Sequence, residues 1–332
     1  MNALLKPAAF ILVLVMSVSS ASANELEIRY DIELAVRYRV LNEEFATLEE
    51  TASDFRDNDA RTSSGLRKLF LFYHSFGDAA EFSLRYVHDD EQPIMAIANA
   101  WVDTFPQSPT AILARAAIQR KIAWYHRLNG DAQSSRQDRY RTFVRAIKAV
   151  DASLREAEDY ASVDSYYYYM RAHNLNETGA SPEDFLALLH EGLDKFPDAY
   201  QLHFAGVDYF APKWHGSAEL IEAYARRAIQ YSAQTDPDAL YARIYWYAAQ
   251  TQYGLNLFSN SDVVWSDMRR GIDKVLLEFP DQWNIQNFAV FACAADDAEL
   301  TRTLFARVEE PILSYYLQQP QIMEHCRDIA NL

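Results

Sequence analysis

SPEDFLALLHEGLDKFP, residues 181–197, carries a whole helix from its cap to its stop. Ser181 suits the N-cap, Pro182 the first helical position, and Asp184 completes a variant of the capping box. Phe185, Leu188, Leu189, Leu193 and Phe196 then recur at helical spacing on one face. Pro197 ends the segment, because it has no amide donor and restricts the backbone of the residue before it.

The same ending occurs three times. NAWVDTFPQSP closes a segment at Phe105–Pro106, EGLDKFPDAY at Phe196–Pro197 and KVLLEFPDQW at Phe279–Pro280. Each is preceded by one amphipathic segment and followed by another. The intervals, roughly 90 and roughly 80 residues, are too long for one helical hairpin and suit two or more of about 34–45 residues. Phe185, Leu189, Gly192 and Pro197 fall at the offsets expected of the second helix of a tetratricopeptide-like pair, as do Met268, Ile272, Val275 and Pro280. The fold this predicts is all-α, a right-handed array of antiparallel helix pairs. With 9 glycines and 11 prolines in 332 residues, little interrupts it. Helices are expected near 28–57, 65–86, 92–104, 109–128, 134–157, 161–175, 182–195, 198–210, 218–232, 237–253, 262–278, 281–294, 296–309 and 313–329. No strand pairs are expected.

The N-terminus reads differently. Lys6 supplies a positive charge, Ala8–Met16 an apolar run, and Ala21 and Ala23 small residues for cleavage, the pattern of a signal peptide over 1–23. The run is less than half of the roughly 20 residues a membrane span needs, so no stable membrane insertion is expected after its removal. The mature chain, 24–332, is expected to be exported to the periplasm or secreted. It reads as one elongated repeat domain, with a subdivision near 129–135 where the sequence turns polar. Loss of Lys6 takes the formal charge from −16 to −17, which disfavours a nucleic-acid partner. Cys293 and Cys326 are an even pair that an exported protein can bridge or bury as thiols.

No catalytic signature is present. The eight histidines are scattered, with no His-Glu-x-x-His, and there is no nucleophile elbow, phosphate loop or dinucleotide fingerprint. No cofactor or metal is expected. YFAPKWHGSAELIEAY (209–224) is the densest group of reactive residue types. Pro212 stops one helix, Gly216 is suited to a left-handed turn, Ser217 caps the next helix, and Trp214 can fold over the seam. Lys213 and His215 have no such structural task. The stretch reads as a turn first, a ligand-contacting loop second and a hydrolase-type catalytic loop, with Ser217 as nucleophile, third.

PKWHGS, following the Tyr-Phe helix end, resembles the signature of an uncharacterised bacterial family, the domain of unknown function 4034. LNEEFATLEE (41–50), RTSSGLRKLFLFY (61–73), WVDTFPQSPTA (101–111) and AWYHRLNGDA (123–132) match in order, departing from the family pattern at Arg127-Leu128. The resemblance covers most of the mature chain. It implies a tetratricopeptide-like helical fold and brings no known activity.

Tyrosine occurs 21 times and concentrates in SYYYYMRAH (165–173) and LYARIYWYAAQTQY (240–253), both placed on the first helices of pairs. Four consecutive tyrosines span about 300° of a helix, so some are expected at a surface. Tyr166, Tyr167, Tyr168, Tyr169, Tyr241 and Tyr245 are therefore candidates for a concave binding face, with Lys213 and His215, and ordinary packing is the competing reading. Three function classes follow. They are a binding or scaffold module for a peptide or protein partner carrying basic and apolar residues, an enzyme using Lys213–Ser217, and a structural subunit of an envelope assembly.

Overall fold

A computed structural model describes residues 24–332 apart from Asp89, 130–134, His215 and 233–236. The signal-peptide segment and His215 thus lie outside the described residues. What is described is all-α, with no strand among the described residues and a single isolated bridge between Arg61 and Arg67.

The three Phe-Pro stops share one geometry. Phe105, Phe196 and Phe279 follow the last helical residue with φ/ψ of −128°/67°, −134°/65° and −128°/71°. Each donates its amide to the carbonyl four residues back, from Trp101, Gly192 and Val275. Leaving the α region is what a following proline requires. The rings of Phe105 and Phe196 then pack against the core, while Phe279 lies beneath the Arg243 guanidinium at 5.6 Å.

The helices pair as a repeat array. α1 (Glu25–Leu41) and α2 (Phe45–Asp57) form the first pair, α3 (Lys68–Phe82) and α4 (Gln92–Thr104) the second, α5 (Pro109–Asn129) and α6 (Arg136–Glu156) the third. After the single turn α7 (Glu158–Ala161) come α8 (Ser165–Thr178) with α9 (Pro182–Lys195), and α10 (Tyr200–Tyr209) with α11 (Ala218–Tyr231). α12 (Pro237–Ala248) pairs with α14 (Trp265–Glu278) across the single turn α13 (Leu257–Asn260), and α15 (Gln282–Ala294) pairs with α16 (Ala298–Phe305). α17 (Pro320–Ala330) packs on α15 and α16. The first helices α1, α3, α5, α8, α10 and α12 pack on one another in succession. Ser181 caps α9 as expected, accepting from the Asp184 amide at 3.1 Å.

Three local expectations need correction. The helix expected over 28–57 is two, broken at Asn42–Glu44, where Glu43 takes φ 57° and reverses the chain. The helix expected at 313–329 begins only at Pro320, the ring of which fits the first helical turn. The ends of α3 and α12 widen into π turns over Ser83–Val87 and Ala249–Tyr253.

Segments far apart in the chain also meet. Arg29 on α1 stacks over the Trp283 ring on α15 at 4.8 Å. Between them, the loop before α3 passes through a buried polar hub. The Ser64 amide donates to Glu25 at 2.9 Å, and its carbonyl accepts from Arg243 at 2.8 Å and Asn284 at 3.1 Å. Arg61 and Arg67 both reach Asp198 at the start of α10. One apolar core runs from Val36 to Leu304, with a small satellite of Ala123, Phe143 and Ile147. The subdivision expected near 129–135 falls mostly outside the described residues.

Cys293 and Cys326 form a disulfide, Cα–Cα 5.3 Å, that ties α15 to α17.

Candidate functional site

The first helices enclose two adjoining hollows that share His74 and Tyr169 as a common wall. The larger, about 410 Å³, is bounded by residues of α1, α3, α8, α10 and α12, including Phe70, Gln201, Phe204, Trp246 and Gln250. The smaller, about 300 Å³, lies between α3, α5 and α8 and takes in Arg120, Lys121, Trp124 and Tyr166. Four of the elements contribute residues at helical spacing from the inner face: Phe70 and His74, Tyr166 and Tyr169, Gln201 and Phe204, Tyr247 and Gln250.

Packing divides the six candidate tyrosines between the two readings. Tyr167 and Tyr168 are fully buried, and their hydroxyls turn to the second layer. Tyr167 accepts from Arg171 at 3.0 Å; Tyr168 donates to Glu191 at 2.8 Å and accepts from Lys195. Tyr241 and Tyr245 are buried too, and both donate to the Glu222 carboxylate on α11. Only Tyr166 and Tyr169 border the hollows. Tyr166 is 6% exposed and stacks on Tyr73 at 4.9 Å, so mainly its hydroxyl edge is presented, whereas Tyr169 is half-buried.

Residues 210–214 turn the chain between α10 and α11. Ser217 caps α11, its Oγ accepting from the Leu220 amide at 3.3 Å. Gly216 is not among the residues in the left-handed region. A Cβ there would stand 1.7 Å from the Phe210 carbonyl oxygen, so glycine is required by close approach. Pro212 is exposed and Trp214 half-buried. Lys213 is exposed, with Nζ 4.0 Å from Asp208 Oδ1. Lys213 thus approaches α10 through Asp208, while Ser217 is committed to its cap. The structure gives the hydrolase reading no converging nucleophile and base among the described residues.

In and around the walls of the hollows the charged groups are matched. Arg120 donates to Asn174 at 2.7 Å and, through both terminal nitrogens, to Glu177 at 2.6 and 2.9 Å; Trp124 donates to the same carboxylate at 3.2 Å. Burial raises the Glu177 pKa against the pull of Arg120. Lys121 bridges Asp78 and Glu81 at 3.1 and 3.0 Å. Tyr247 donates to Asp208 at 2.6 Å and stacks on Phe204 at 4.5 Å; burial lifts the pKa of the Asp208 carboxyl.

Dehydration sets the protonation of the other groups. It pushes Tyr169 up to about 12 and His173, 4.4 Å from the Tyr169 ring, down to about 3. His74 is exposed on the hollow side, and the protein packed around the rest of its ring lowers its pKa as well. All three are neutral near pH 7. No group of three or more metal-ligating side chains occurs among the described residues.

Sequence reading missed His74, Arg120, Gln201, Asp208, Tyr247 and Gln250. They are spread over α3, α5, α10 and the end of α12, with no motif joining them. The available signal was positional, a polar residue one turn from an aromatic on the inner face of a first helix. No family model, curated protein or solved structure matches this chain.

Proposed function

We propose that this chain is an exported helical-repeat binding module that holds a segment of a peptide or protein partner in its concave centre. The observation that carries this reading is the pair of adjoining hollows walled by successive first helices, the surface on which repeat arrays of this kind present ligands. Ser217's commitment to its cap and the pairing of Lys213 with Asp208 favour binding over hydrolysis. The apolar run at Ala8–Met16 behind Lys6, together with a disulfide, supports passage into an oxidising compartment. No helix of the described residues is long and apolar enough to cross a membrane.

The test is capture of a partner by the purified protein, followed by the same capture with Phe70→Arg and Phe204→Arg, which place charge and bulk in the larger hollow. Loss of capture with helicity retained supports the reading, and undiminished capture by both variants overturns it. Recovery of periplasmic protein beginning at Asn24 tests export, and an intact N-terminus in the cytoplasm refutes it.

A further inference from the structure

The wall of the hollows divides its polar groups into two sets. The charged set is already matched inside the protein: Arg29 with Glu25, Glu33 with Arg37, Asp78 and Glu81 with Lys121, and Arg120 with Glu177. The second set includes the Tyr166 and Tyr169 hydroxyls, the His74 ring and the Gln201 and Gln250 amides. None of these has a hydrogen bond among the described residues, and all border the hollows. From this division we infer that the segment entering the concave centre is uncharged there, an extended stretch of polypeptide read through its main-chain amides.

The inference rests on the proposed binding role and narrows it. A charge brought into the hollows would lose its water and find every opposite charge on the wall already engaged, which is costly for a buried ion. A peptide unit offers one N–H and one carbonyl. A glutamine amide and a tyrosine hydroxyl each donate and accept, so they match both. Phe70, Phe204 and Trp246 supply apolar wall for side chains that project between the amides. Partial dehydration raises the Tyr169 pKa and lowers that of His74, so both are neutral near pH 7, in keeping with this assignment. Basic residues in a partner would then act outside the hollows, where the acidic exterior speeds encounter.

The test uses the purified protein on an array of synthetic decapeptides with constant Gly-Ser flanks. The central six positions are uncharged, or carry two lysines, or carry two glutamates. The expected result is binding to members of the uncharged class at least about tenfold tighter than to either charged class. Tyr169→Phe and Gln201→Leu should each weaken that binding by roughly three- to tenfold, because each removes a hydrogen-bonding group while keeping the shape. Melting temperatures should be unchanged, since neither group bonds within the protein. Preference for a charged class overturns the inference while leaving the binding role standing. Uncharged peptides bound equally well by both variants also overturn it. Binding to no peptide class, or to a parallel array of neutral oligosaccharides instead, overturns the inference and the peptide-binding role together.

Discussion

Gly216 and His203 show how much single residues carry here. A Cβ at Gly216 would meet the Phe210 carbonyl carbon at 2.3 Å as well as its oxygen, and backbone cannot step aside as a side chain can. Gly216→Ala should therefore cost about 1–3 kcal/mol, and Ser217→Ala about 1 kcal/mol through loss of the cap, both measured by urea unfolding. A Gly216→Ala variant as stable as the parent would contradict the close approach. His203 lies fully buried on α10, its Nε2–H donating to the Pro197 carbonyl at 2.8 Å and its Nδ1 lacking a partner among the described residues. Burial lowers its pKa to about 4. The unfolded chain then binds the proton more readily than the folded one. The stabilisation is complete above the unfolded value near 6.5 and is lost as pH falls toward 4. Between pH 7 and 5 this amounts to roughly 2 kcal/mol. His203→Gln keeps a donor for Pro197 without the titration, so the stability difference between parent and variant should narrow by that amount over the same range. A constant difference would show that His203 does not titrate as its burial requires.

Among the elements, the second helices were the most legible. Ser181, Pro182 and the Phe-Pro stop each act within a few residues of the chain, so their physics is written locally, and α4, α9 and α14 end where the sequence says. The break between α1 and α2 was hidden because Glu43, at φ 57°, is not a residue that usually announces a reversal. α17 is held from outside as well as by its own pattern. The Cys293–Cys326 disulfide closes a loop with a sequence separation of 33, which in the chain-entropy model stabilises by about 3–4 kcal/mol. Replacing both cysteines by alanine should lower stability by that order, with α17 the first element to exchange its amide hydrogens. Equal protection of α17 in the two forms would mean that its packing on α15 and α16 suffices.

For the molecule as a whole, legibility ran out where distant segments meet. Tyrosine density pointed to α8 and α12 but could not tell inner face from second layer, because that depends on how each helix is rotated against its neighbours. Nothing in RTSSGLRK marks Ser64 as the point where residues 25, 243 and 284 converge. Glu25 is fully buried there, bonded to Ser64 and paired with Arg29 at 2.7 Å. Glu25→Ala should cost about 2–3 kcal/mol, since it leaves a buried amide and a guanidinium without their acceptor. Urea unfolding followed by tryptophan fluorescence and by circular dichroism should then give two separate midpoints in place of one. Coincident midpoints in the variant would place the cooperativity of the molecule elsewhere. The same hub has a consequence for how such a chain can change over generations. An open row of repeats gains or loses units at little cost, because each unit answers only to its neighbours. Here the first helix must arrive at the last pair, as the stacking of Arg29 on Trp283 requires. Duplicating or deleting one helix pair would leave that appointment unkept, so the number of pairs is fixed by closure, and variation is confined to residues and loops.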